Sequence, residues 1–212
     1  MNKRIILTTL FLSILTILLT GCVFPTSASI KPSPLYGQEV LKIKDLNFIG
    51  SKDTNVALVG SVLTSIEVEN HPILMVSATN NSENPIEFST MNIRASYGNR
   101  SINIYTEDEF SEYLEWEKHG EIRSSSSNIS MSPANRYLSI ASYLSGTAVI
   151  ADRYNKLQNA ILRNRVIEPG ETYGGLIMLQ KLQHNDIGNP LILRLLIGSE
   201  VHEIRFSILK DA

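Results

Sequence analysis

The sequence predicts a mainly β protein, an antiparallel β-sandwich with an α-helical insertion, and three observations carry that prediction. Over residues 41–104 short apolar segments alternate or run in blocks between turn-forming clusters. Over about 106–165 the apolar period lengthens to steps of three and four, the spacing of a helix face. From Val166 onward strand-like spacing returns and holds to the C-terminus.

The elements follow in chain order. Leu41–Ile43, Leu46–Phe48, Val56–Val59, Ile66–Val68, Ile73–Val76, Ile86–Phe88, Ile93–Ala95 and Ile102–Ile104 read as strands. Between them, Asn80-Asn81-Ser82-Glu83-Asn84-Pro85 and Tyr97-Gly98-Asn99-Arg100 supply the asparagine and glycine that accept positive φ at reversals. Strands this short and this regularly spaced favour a sandwich.

Thr106 followed by Glu109 forms a capping box, and Phe110, Tyr113, Leu114 and Trp116 share one broad helical face. A short helix is therefore expected over 107–118, ended by Gly120, with Ser124 to Ser127 as a loop. Ser132 as N-cap and Pro133 at the first helical position open a longer helix. Its stripe is Tyr137, Ile140, Ala141, Leu144, Ala148, Ala151, Tyr154, Leu157 and Ile161, and Gly146 is where it would kink or split. The stripe is expected to pack on the sandwich.

Pro169-Gly170 suits the centre of a type II turn and leads into the last strands. Leu176–Leu179 and Leu191–Ile197 are nearly continuous apolar runs, expected of central strands covered on both faces, one of those faces by the inserted helices. Ile204, Phe206 and Ile208 alternate with Glu203, Arg205 and Ser207, and Gly198-Ser199 makes a two-residue hairpin. The segments Val76-Ser77-Ala78-Thr79-Asn80-Asn81-Ser82 with Pro85, and Val166-Ile167-Glu168-Pro169-Gly170-Glu171-Thr172, resemble those of immunoglobulin-like sandwiches in secreted bacterial proteins. The resemblance implies that fold and no functional residue, because such sandwiches host adhesion, assembly and ligand roles alike.

The N-terminus sets an address. Lys3 and Arg4 precede an uncharged run of 15 residues from Ile5 to Leu19, the layout of a signal peptide. As a helix that run would rise only about 22 Å, short of the roughly 30 Å hydrocarbon core that a spanning helix must cross. Leu19-Thr20-Gly21-Cys22 closes it, with the only cysteine in the chain. This tetrapeptide resembles the lipobox of bacterial lipoproteins. The resemblance implies signal peptidase recognition through Leu19, Thr20 and Gly21, cleavage before Cys22, and acyl chains on Cys22 that hold the protein to a membrane. Two or three chains would anchor stably where one holds only marginally. Val23 follows the cysteine, where the enterobacterial inner-membrane signal is an aspartate, so the resemblance implies the outer membrane, facing the periplasm.

The expected organisation is a signal peptide over 1–21, a lipidated tether over 22–38, and a sandwich domain over 39–212. Pro25, Pro32 and Pro34 among small polar residues argue against helix and sheet in the tether, which at about 3.1 Å per residue would hold the domain tens of Å from the bilayer. The 191 residues left after cleavage suffice for one domain. They carry 17 basic and 21 acidic residues, a balance that does not favour nucleic acid. With Cys22 acylated, neither a disulfide nor a thiolate metal site is expected.

Candidate chemistry is thin. His71, His119, His184 and His202 show no helical ligand spacing, and no metal or other cofactor is expected. No serine sits in a Gly-x-Ser-x-Gly elbow. Glu107, Asp108, Glu109, Glu112, Glu115 and Glu117 read as helix-start charge and solvated faces rather than a glycosidase pair. Gly170, Gly174 and Gly175 precede a strand and lack the lysine of a phosphate loop. Trp116 with Tyr113 is either an exposed platform or a core contact of the insertion, with core favoured. The expectation is a non-enzymatic envelope lipoprotein that contacts another envelope protein. The alternative is a lipoprotein binding a small ligand or glycan between helices and sheet.

Overall fold

The computed structural model describes residues 27–43, 46–62, 65–67, 69–126 and 150–211. In chain order the elements are β1 Ser27–Pro32, β2 Glu39–Ile43, β3 Leu46–Lys52, β4 Val56–Ser61, β5 Ser65–Glu67, β6 Ile73–Thr79, β7 Ile86–Phe88, β8 Ile93–Tyr97, β9 Arg100–Ile102, α1 Glu107–Ser126, α2 Ile150–Asn159, β10 Arg165–Ile167, β11 Thr172–Met178, β12 Pro190–Ile197 and β13 Glu200–Lys210. The expected strands are present except Ile102–Ile104, whose place is taken by the earlier β9 Arg100–Ile102, with Ile104 making only an isolated bridge to Leu179, and the protein is mainly β with antiparallel sheets.

A six-stranded sheet runs β5-β1-β13-β12-β8-β9, a five-stranded sheet runs β11-β6-β4-β3-β2, and β10 pairs with β7. The period-2 side-chain alternation gives most of the strands an inner face, whereas every residue of β2 is exposed. In β13, Ile204, Phe206 and Ile208 are buried while Glu203, Arg205 and Ser207 face outward. One cluster joins Ile30, Leu193 and Phe206 of the six-stranded sheet to Ile49, Val59 and Val76 of the five-stranded sheet. Each such side chain contributes roughly 1.5–3 kcal/mol by leaving water.

The turns carry the expected chemistry. Gly170 has φ +80° and Glu171 N–H donates to Glu168 O at 2.9 Å, as a type II turn requires. Gly198 and Ser199 alone join β12 to β13, where Ile197 pairs with Glu200. The two segments that carry the immunoglobulin-like resemblance come together: β6 pairs with β11, and Asn80 Nδ2 donates to Ile167 O at 2.9 Å while Gly170 N–H donates to Asn80 O at 2.6 Å.

A second cluster lies on the outer face of the five-stranded sheet. Phe110 and Leu114 of α1 and Tyr154 and Leu157 of α2 pack on Ile73, Leu176 and Met178. Gly175 permits the close crossing of the segment after α2, since a Cβ there would lie 2.7 Å from Leu162 Cα. Leu176 N–H donates to Ala160 O at 2.7 Å across that crossing.

Four expectations need correction. The helices cover β11 and not β12: Leu176 and Met178 lie under them, Ile177 and Leu179 face the shared core, and Arg194 and Leu196 of β12 stand in the open. Part of the expected tether is sheet, because the Ser27–Pro32 sequence alternates and its Ala28 and Ile30 are buried between β5 and β13. Pro32 is tolerated there. Ser33 N–H donates to Arg205 O of β13, so the Pro32 nitrogen turns to the other side, where β5 reaches only Ser27–Ser29. Gly120 does not end the first helix, which runs on to Ser126; a single glycine costs a helix only about 1 kcal/mol. Ser124 to Ser126 are therefore helical rather than a loop, and the second helix ends at Asn159, with Ile161 bridging to Leu176 instead. Its expected start at Ser132 and Pro133 lies outside the described residues.

Candidate functional site

Cys22, with Leu19, Thr20 and Gly21, lies outside the described residues. The first described residue is Ser27, five residues on, and five extended residues span at most about 18 Å. Ser27 O accepts from Asp211 N–H at 3.0 Å, and Ser27 pairs with Glu67. The chain from Cys22 therefore enters the fold beside its C-terminal strand.

The histidines are dispersed. His71 is buried, donates from Nδ1 to Leu179 O at 3.0 Å, and stands edge-on to Tyr105 and Tyr113 with ring centroids 5.0 and 5.2 Å away. Burial pushes its pKa below the ordinary value, the Leu179 carbonyl offsets part of this, and Lys181 adds to it. His202 faces the core, its Nδ1 3.2 Å from Ser51 Oγ and its Nε2 3.5 Å from Glu200 Oε2. Burial alone would raise the Glu200 carboxyl, but hydrogen bonds from Asn55 and Thr54, with His202 nearby, hold it below its usual range. His184 is exposed, whereas Asp186 of the same loop is buried and gripped by Arg100 through Nε at 3.2 Å and Nη2 at 2.5 Å. The side chain of His119 lies outside the described residues. Among the described residues no three metal-donor side chains come together.

The helical glutamates serve structure. Glu109 Oε2 accepts from Thr106 N–H at 2.8 Å, and Thr106 Oγ1 accepts from Glu109 N–H at 3.3 Å, which completes the capping box. Glu107 pairs with Arg163 Nε at 2.9 Å, and Glu115 accepts from Gln158 Nε2 at 3.0 Å, tying α1 to α2. The two aromatic readings divide between the two residues. Tyr113 packs against the helical cluster and donates to Glu117 Oε1 at 3.1 Å, while Trp116 is 70% exposed with its ring 6.5 Å from that of Tyr113. The space between helices and sheet is filled by Phe110, Leu114, Tyr154 and Leu157.

A concavity of about 820 Å³ lies elsewhere, on the open face of the six-stranded sheet. Arg94 of β8, Arg194 of β12 and Arg205 of β13 line it, with Ser96, Ser101 and Asn189 among the polar groups beside them. Strand register builds the cluster: Arg94 is opposite Arg194, Arg194 is opposite Glu203, and Ile192 stands between Ser96 and Arg205. Glu203 is the carboxylate of the group, accepting from Arg194 Nε and Arg205 Nε, each at 2.8 Å. Hydrogen bonds from Arg205 and then Arg194 hold its carboxyl below the usual range. Arg94 has no hydrogen-bond or ion-pair partner among the described residues, and an opposed like-charge pair is unfavourable in a sheet.

Sequence reasoning missed this face because it assigned both sides of Leu191–Ile197 to packing. The available signal was Arg194, a charge in the middle of an apolar run, followed by Arg205 on the outward parity of β13. No protein-family model, curated protein or solved structure matches the chain.

Proposed function

We propose that the chain is a cell-envelope lipoprotein whose immunoglobulin-like sandwich acts as a non-enzymatic interaction or assembly module, held to the membrane by acyl chains on Cys22. The observation that carries the reading is Leu19-Thr20-Gly21-Cys22 at the end of an uncharged run. Val23 favours the outer membrane with the domain facing the periplasm. The early start of β1 modifies the geometry: with Cys22 at most about 18 Å from Ser27, the domain works close to the bilayer rather than at the end of a long tether. The end bearing Ser27, Glu67 and Asp211 would face the lipid.

The interaction reading draws further support from how the candidate catalytic groups are spent. His71 is packed between tyrosines, Asp186 is neutralised by Arg100, and the α1 glutamates cap or cross-link helices. In-cell crosslinking of the full lipoprotein, followed by identification of what it holds, tests the proposal. It predicts recovery of a stoichiometric envelope protein from the membrane fraction; a protein that fractionates as soluble and crosslinks to nothing in the envelope contradicts it.

A further inference from the structure

We infer that the open face of the six-stranded sheet is an oxyanion-binding site for an acidic saccharide, held by Arg94, Arg194 and Arg205. The chain as a whole is slightly acidic, yet three arginines line this concavity, and only Arg194 and Arg205 bond the Glu203 carboxylate. A guanidinium offers five N–H donors in a planar fork that fits a carboxylate or phosphate. Both Arg94 and Arg194 line the concavity; Arg194 uses only Nε on Glu203 and Arg94 uses no donor on the described residues, which leaves most of their donors for a ligand.

Register makes the arrangement specific. Arg94 and Arg194 are Cα partners on neighbouring strands, so their forks rise side by side from a rigid ladder rather than from loops. An anion between them replaces a like-charge contact with two attractive ones. The rest of the lining selects the body of the ligand: Ser96, Ser101 and Asn189 present hydroxyl and amide groups, and Ile192 supplies one apolar patch. Polar groups around one aliphatic side chain suit a sugar, whose hydroxyls bond while its C–H face packs. The volume of about 820 Å³ admits more than one ring. The inference does not rest on the lipid anchor, and failure of either leaves the other standing.

Calorimetry on the full chain in detergent micelles tests it, with hexagalacturonate as the carboxylate probe, glucose 1-phosphate as the phosphate probe and maltohexaose as the neutral control. The expected result is saturable binding of at least one anionic probe, with maltohexaose at least tenfold weaker. The probe that binds more tightly identifies the source of the oxyanion. Arg94→Gln and Arg194→Gln should each weaken binding tenfold or more without loss of folding, Arg94→Lys should recover only part of it, and Glu203→Gln should tighten it two- to fivefold by freeing Arg194 and Arg205. Absence of saturable binding by both anionic probes, equal binding of maltohexaose, or affinity untouched by both arginine substitutions would overturn the inference.

Discussion

Arg94 and Arg194 stand directly opposite each other across β8 and β12, two like charges paired on an open sheet face with one of them unpartnered among the described residues. Opposed like charges destabilise a sheet by roughly 0.2 to 1 kcal/mol, and salt screens the effect. In the absence of ligand, Arg94→Gln should therefore raise the melting temperature slightly, and the gain should shrink between 20 mM and 500 mM salt, both concentrations being those of the assay. Thermal melts at the two salt levels check this; a destabilised variant would show that Arg94 supports the fold instead.

Leu195 and Leu196 are adjacent in β12 and face opposite ways, the first fully buried and the second exposed. Leu195→Ala should cost about 2 to 5 kcal/mol, as should Leu193→Ala, whereas Leu196→Ala should stay within about 0.5 kcal/mol. Denaturant unfolding of the three variants makes the comparison. Equal losses would mean that the outer face of β12 is covered.

His71 gives the fold a pH dependence of known sign. Its folded pKa lies below the ordinary 6.5, so as pH falls the unfolded chain takes up the proton first. Its contribution is complete above about pH 6.5 and is lost as pH falls from there toward the folded pKa. Glu200 and Glu203, whose carboxyls are also held low, lose theirs in a separate window below about 4.5. Melting temperature should therefore drop between pH 7 and pH 5 in the natural chain and drop less in His71→Gln. Parallel curves for the two would remove His71 from the account.

β1 makes the sheet depend on residues near the N-terminus. A chain beginning at Ser27 keeps Ala28 and Ile30, both buried, together with the pairing of β1 to β13. One beginning at Gly37 loses all of them and leaves β5 without its neighbour. Circular dichroism melts should show a cooperative transition for the first and a strongly lowered or absent one for the second.

Much of this fold was legible because local chemistry decided it. The Thr106–Glu109 box, the Pro169-Gly170 turn and the Gly198-Ser199 hairpin each specify a backbone through two or three neighbouring residues, and each appears as expected. What escaped was decided by distant partners. Leu176–Leu179 and Leu191–Ile197 look alike in sequence, but only the first lies under helices, and nothing within either run says which sheet the insertion will cover. Pro32 argued against sheet until the position of β5 left its nitrogen without a ladder partner to serve. The arginine face was hidden for a related reason: Arg94, Arg194 and Arg205 are scattered in sequence and become one cluster only through the register of three strands.

Lipid attachment at Cys22 is the claim from which the envelope address follows. Metabolic labelling with an alkyne palmitate analogue, read on the natural chain and on Cys22→Ser, measures it directly, because serine has no sulfur to form the thioether. Label is expected on the natural chain together with a mature N-terminus at Cys22, and none on Cys22→Ser. A natural chain without label, or a Cys22→Ser chain that still carries it, would contradict the account.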